Sequence, residues 1–296
     1  MIRPLQTLGL TTLLATAATL LTPTAHALPP AALYTDPPAD PAHPAGMDIV
    51  HIPSHGSIMN GVLWTASGPG PHPAAIIYHG FPGNEPNLDI AQTLRRAGWT
   101  VLTFHYRGSW GSTGAFSFTS VFQDSQTALD FLKTNAPRYD IDPHRIAIIG
   151  HSMGGMAAAL IGAHNPDLLG TVLISAANFG QFGNFPGGQK ALTGFMAGNM
   201  DSLAGTSPAA LATEAATHAP EWDFLKTAPG LAHHPVLVIT ANDGLVKQDD
   251  ALASAINAIT PNDATEIHFP TDHGYSDRRI ALQSTILTWL AHLGHR

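Results

Sequence analysis

From Pro73 onward the chain repeats one pattern that leaves few folds open: short apolar runs alternate with longer amphipathic stretches. The runs are AAIIYH, TVLTFHY, RIAIIG, TVLISAA, VLVITA and TEIHF. Runs this short and this apolar read as strands buried on both faces, the condition of a parallel sheet covered by helices. The stretches between them predict helices over about Pro86–Ala97, Val121–Asn135, Ser152–His164, Lys247–Ile259 and Arg278–Leu293. Ahead of the pattern, MDIVHIP and SIMNGVLWTA flank a Ser-His-Gly turn and predict an antiparallel opening hairpin. The fold class is therefore α/β, with a mostly parallel central sheet flanked by helices. Pro143 and Pro235 are expected to bound strands rather than interrupt them.

One stretch breaks the rhythm. Residues from about Asn178 to Ala232 are too many for a simple crossover and read as an inserted lid. Its Phe179, Phe182, Phe185, Phe195, Met196, Met200 and Trp222 either line an apolar substrate site or pack the insertion onto the body. At the other end, residues 1–27 carry one cation, Arg3, then an apolar stretch from about Leu8 to Leu21, then Ala25-His26-Ala27. That arrangement reads as a secretory signal peptide cleaved after Ala27, since threonines interrupt an apolar run too short to span a bilayer. The expected product is exported, to periplasm or extracellular space, with no stable membrane insertion. Residues 28–46 are proline-rich and predict an extended, poorly structured lead-in to a domain over 47–296.

Composition narrows the chemistry. The chain is 44% hydrophobic and 11% charged, enough apolar content for a large core. It has no cysteine, which excludes disulfides, thiol nucleophiles and thiolate metal sites. A formal charge of −8 argues against nucleic acid as partner. The 17 histidines are scattered without a His-Glu-x-x-His spacing, so no metal and no cofactor is expected.

The chemistry centres on Gly150-His151-Ser152-Met153-Gly154. RIAIIG before it is a buried strand and MGGMAAALIGAH after it has helical composition, so Ser152 sits on a strand-to-helix turn. A serine hydroxyl needs a base, a group that orients the base, and donors for the oxyanion. This pentapeptide resembles the nucleophile elbow of the α/β-hydrolases, and the resemblance extends over essentially everything after residue 46. It implies oxyanion donors at the backbone N–H of Phe81, in the HGFPG loop after AAIIYH, and of Met153. It implies a base after the last strand, where His273 lies in FPTDHGYS, with His268 inside the strand and His292 and His295 too far along. It implies an orienting carboxylate just beyond VLVITA, where Asp243 to Val246 matches the family's Asp-x-x-Val. Asp249 and Asp250 begin a helix and read instead as partners of its N-terminal dipole. The chain order Ser152, Asp243, His273 is the order of that family.

The loop in FHYRGSWGSTG is similar to the Tyr-Arg-Gly-Ser loop of prolyl-oligopeptidase-like and dienelactone-hydrolase-like members, and no propeller domain is expected ahead of it. Arg107 is expected to pair with Asp124 rather than to bind a substrate carboxylate. The resemblance implies a serine hydrolase acting on a small-molecule ester through an acyl-enzyme. A peptidase on short peptides, an acyltransferase and a non-catalytic binding protein of the same fold are the alternatives.

Overall fold

The computed structural model describes residues 30–294; the expected signal peptide over 1–27, and His295, lie outside them. In chain order the strands are β1 (Gly46–Ser54), β2 (Ser57–Thr65), β3 (His72–Tyr78), β4 (Thr100–Phe104), β5 (Ile141–His151), β6 (Gly170–Ile174), β7 (Val236–Ala241) and β8 (Ala264–Phe269). The helices are α1 (Leu88–Arg96), α2 (Phe118–Asn135), α3 (Met153–His164), α4 (Gly188–Ala197), α5 (Pro208–His218), α6 (Ala228–Leu231), α7 (Val246–Ile259) and α8 (Arg279–Leu293). One sheet runs in the order β1-β2-β4-β3-β5-β6-β7-β8, antiparallel through the opening hairpin and its β2–β4 junction and parallel from there on. This is the α/β-hydrolase architecture.

The sheet is buried on both faces, which is why its central strands read as unbroken apolar runs. Ile76, Ile148, Leu173 and Val238 face α2, α3 and α7 in one core. Their neighbours Ile77, Ile149, Val172 and Ile239 face α1 and α8 in the other. Each such side chain taken from water contributes about 1.5–3 kcal/mol. Strand order reverses at β3, which has β4 on one side and β5 on the other. In open α/β sheets such a switch point opens a crevice at the carboxyl ends of the strands, and that is where the HGFPG loop and Ser152 emerge.

Three boundaries differ from expectation. α2 starts at Phe118 rather than Val121, because Ser117 caps it: the Ser117 hydroxyl accepts from the Ser120 amide and the Ser120 hydroxyl accepts from the Ser117 amide. β5 reaches back to Ile141 and so contains Pro143. The strand tolerates it because pairing with β3 jumps from Ile141 to Ile146, leaving Pro143 in an irregularity where no ladder donor is needed. The described part of the lead-in is held to the body rather than loose: Arg96 donates to the Ala32 carbonyl (2.6 Å) and the Gly68 amide to that of His43 (2.9 Å).

Candidate active site

Ser152 stands between β5 and α3 with φ 57° and ψ −117°, a region a side chain rarely enters. The surrounding backbone holds it there. Its amide donates to Ile174 (3.0 Å) and its carbonyl accepts from Ala177 (3.0 Å) and Gly155 (2.9 Å). Close approach explains the glycines: a Cβ on Gly150 would sit 2.0 Å from the Gly154 carbonyl oxygen, and one on Gly154 would sit 1.9 Å from that of Tyr78. The HGFPG loop lies directly against the serine, since a Cβ on Gly80 would come within 3.1 Å of the Ser152 Cβ. Neither the Phe81 nor the Met153 amide has an acceptor among the described residues. Met153 opens α3, so its N–H belongs to the positive end of that helix.

Asp243 and His273 meet as expected: His273 Nδ1 donates to Asp243 Oδ2 at 2.8 Å. The carboxylate is 4% exposed and the imidazole 43%. Burial opposes ionisation of Asp243, but the hydrogen bonds it accepts, from His273 first, outweigh burial and hold its carboxyl below the usual range. Its other oxygen accepts from the Leu245 amide (3.0 Å), which fixes the carboxylate in the β7–α7 turn. With Nδ1 donating, His273 Nε2 carries the free lone pair. His273 lies beside the elbow through its contact with His151, but no hydrogen bond joins it to Ser152 Oγ among the described residues. Such bonds are often loose until substrate binds.

Above Ser152 a narrow cavity of about 60 Å³ is walled by Phe81, Phe118, Met153, Phe179, Phe182 and Phe195. Ala177 and Phe182 also border a wider cleft of about 680 Å³ towards α7, whose wall includes Asn178, Gln181, Leu245 and Lys247. The large apolar residues between β6 and β7 thus divide. Phe182 and Phe195 line the cavity, Phe179 does so while buried, and Met196 and Trp222 pack into the core.

Arg107 is engaged as expected, its Nε 2.7 Å from Asp124 Oδ1, and Ser54 donates to the same oxygen (2.6 Å). His268 is occupied within the sheet by Thr240 and Asn242. Asp249 lies in the first turn of α7 as expected, but it is 1% exposed there, and neither carboxyl oxygen has a hydrogen-bond partner among the described residues. Burial, aided by the charge on Asp243, pushes it up to about 9. The helix turn after Asp243 rotates Asp249 inward, a direction that a dipole argument does not consider. Sequence reasoning also passed over His151, whose only signal was its place as the variable residue before Ser152.

Comparison with known proteins agrees with this architecture. Residues 79–180 match the family model described as BD-FAE. An uncharacterised protein of Mycobacterium tuberculosis is 30% identical over 131 residues, 44% of this chain and 46% of the relative. An α/β-hydrolase domain-containing protein of Arabidopsis thaliana is 36% identical over 74 residues, 25% of this chain and 23% of its own. The chain thus matches less than half the length of these curated relatives. Among solved structures, the Est1E protein of Butyrivibrio proteoclasticus with ferulic acid bound superposes with a TM-score of 0.67 at 17% identity, covering 83% of this chain and 100% of that one. A thermophilic carboxylesterase cloned from a metagenomic library gives 0.61 at 20% identity, covering 85% and 90%. The chain has the α/β-hydrolase fold.

Proposed function

We propose that the protein is a serine hydrolase that cleaves carboxylic esters through an acyl-enzyme. The observation that carries this reading is the Asp243–His273 hydrogen bond beside a strained Ser152 that faces an aromatic cavity. Ser152 Oγ attacks the ester carbonyl while His273 Nε2 takes its proton, and Asp243 holds the imidazole in the tautomer that exposes Nε2. The Phe81 and Met153 amides receive the oxyanion, each such donor being worth about 2.7–4 kcal/mol in acyl transfer. His273 then returns the proton to the departing alcohol, and water repeats the sequence to free the acid.

An ester suits the surroundings. The cavity at Ser152 offers phenylalanine faces and no charge, which favours an acyl or aryl group over a charged peptide. Solved neighbours include a carboxylesterase, an esterase and the Est1E protein with ferulic acid bound, and this adds support for an ester substrate. The Tyr-Arg-Gly-Ser loop lends peptidase activity no specific support, because its arginine is committed to Asp124. Export belongs to the same proposal and rests on the sequence of residues 1–27.

Fluorophosphonate labelling and hydrolysis of short p-nitrophenyl esters test the assignment. Ser152→Ala is expected to lose labelling and to drop kcat by at least ~10³-fold with the fold intact. Equal labelling of both proteins, or none of folded wild type, would overturn it.

A further inference from the structure

His151 is buried (5% exposed) at the end of β5, immediately before the nucleophile. Its Nε2–H donates to the backbone carbonyl of His273 at 2.9 Å. Its ring lies 4.8 Å from the His273 ring, tilted by 35°. The carbonyl can only accept, so this bond fixes the Nε2–H tautomer and leaves Nδ1, which is buried and has no partner among the described residues, as a bare lone pair. One side chain therefore holds both the backbone and the ring face of the residue that binds Asp243. Ser152 follows β5 and His273 follows β8, with β6 and β7 between those strands in the sheet, and this is a direct link between their turns.

We propose that His151 is a positioning residue that aligns His273 with Ser152, by anchoring the His273 carbonyl and backing its ring. The proposal rests on the serine-hydrolase reading and adds a role to the variable residue of the elbow. His151 acts through His273 and has no contact with substrate to make. Its neutrality is built in: burial first, then the nearby His273, bring it down to about 4, against its bond to the His273 carbonyl, with smaller contributions from Arg279 downward and from Asp243 upward. Tyr275 packs on it edge-on, with ring centres 6.5 Å apart. A neutral ring can lie against an imidazole that gains a proton in each catalytic cycle; a charged one would repel it.

The test uses the full protein and compares wild type, His151→Phe, His151→Gln and Ser152→Ala on a short p-nitrophenyl ester over pH 5–9, with a thermal melt of each. His151→Phe keeps a buried ring and loses the donor, whereas the Gln amide can reach the His273 carbonyl. The expected result is a kcat about 10- to 100-fold lower in His151→Phe with KM within about twofold. Its acid limb of kcat/KM should move to lower pH, because a loosened Asp243–His273 bond stabilises the imidazolium less. His151→Gln should recover most of both. Wild-type kcat and acid limb in a folded His151→Phe overturn the proposal, as do equal losses in Phe and Gln with an unmoved limb. If Ser152→Ala matches wild type, the hydrolase reading itself has failed, a separate outcome. Nitrogen-15 NMR of histidine-labelled wild type needs no variant: His151 should show the Nε2–H tautomer and no titration between pH 8 and pH 5. An Nδ1–H tautomer, or titration in the ordinary histidine range, overturns the proposal.

Discussion

At the nucleophile turn there is no room for one extra methyl group, whereas across the same cavity a helix has room to spare. A Cβ on Gly154 would fall 1.9 Å from the Tyr78 carbonyl oxygen, while one on Gly194 of α4 would meet nothing within 4 Å. The turn is built by backbone against backbone, from β3, β5 and α3. The wall opposite is built by side chains laid over it, with Phe195 exposed at its rim and drawn towards Phe81 and Phe185 at ring distances of 6.3 and 5.9 Å. The groups proposed to carry out the reaction are thereby fixed by elements that cannot shift singly. The side chains that line the cavity opposite them have room to change without disturbing them.

Paired glycine substitutions give that contrast its hardest test. Gly154→Ala forces two backbones apart and is expected to cost more than ~4 kcal/mol or to prevent folding. Gly194→Ala lies in an open helical position and should stabilise by about 0.5–1 kcal/mol. Chemical denaturation of both proteins checks this, and comparable stabilities would remove the distinction between the two regions.

The rigid side also buries polar groups at a cost, and Asp249 is the clearest of them. Its proton stays on until about pH 9 in the folded protein but leaves near pH 4 in the unfolded chain. The sign follows: because the folded form is the better proton binder, the stability contribution of Asp249 is fully present below pH 4. It is lost steadily as pH rises towards 9. Asp249→Asn removes that dependence, so between pH 5 and pH 8 the variant should gain on wild type by about 4 kcal/mol, at roughly 1.4 kcal/mol per pH unit. Melts at the two pH values measure it; an unchanged gap would mean that Asp249 ionises normally.

The same division sets what could be read in advance. Apolar runs announced the strands because both faces of the sheet are covered, and the places of Ser152, Asp243 and His273 in the fold were legible because each follows a strand. Helix starts were less so: Ser117 caps α2 through a serine pair rather than the usual acidic partner, so the first turn went unseen. Asp249 and His151 were illegible for another reason. A carboxylate at a helix start and a histidine in a turn both look solvated in sequence, and only the packing of α7 and of the His273 loop turns them inward. Between β6 and β7 the sequence offered aromatic residues without a period to assign them, and the fold sends Phe195 to the cavity and Trp222 to the core.

The smallest expected effect lies on the adjustable side. Phe195→Ala removes one wall of a cavity of about 60 Å³ without touching the elbow, the HGFPG amides or the Asp243–His273 pair. Hydrolysis of a short p-nitrophenyl ester should stay within about threefold of wild type. Longer acyl chains should gain relative to it by up to about tenfold, the scale of 1–1.4 kcal/mol that a single apolar contact contributes to selectivity. Because Phe195 is exposed, the melting temperature should hardly move. A chain-length series from acetate to octanoate reads the outcome directly. A fall in activity on every ester alike would show that α4 supports the catalytic groups themselves, and the two regions would then have to be treated as one.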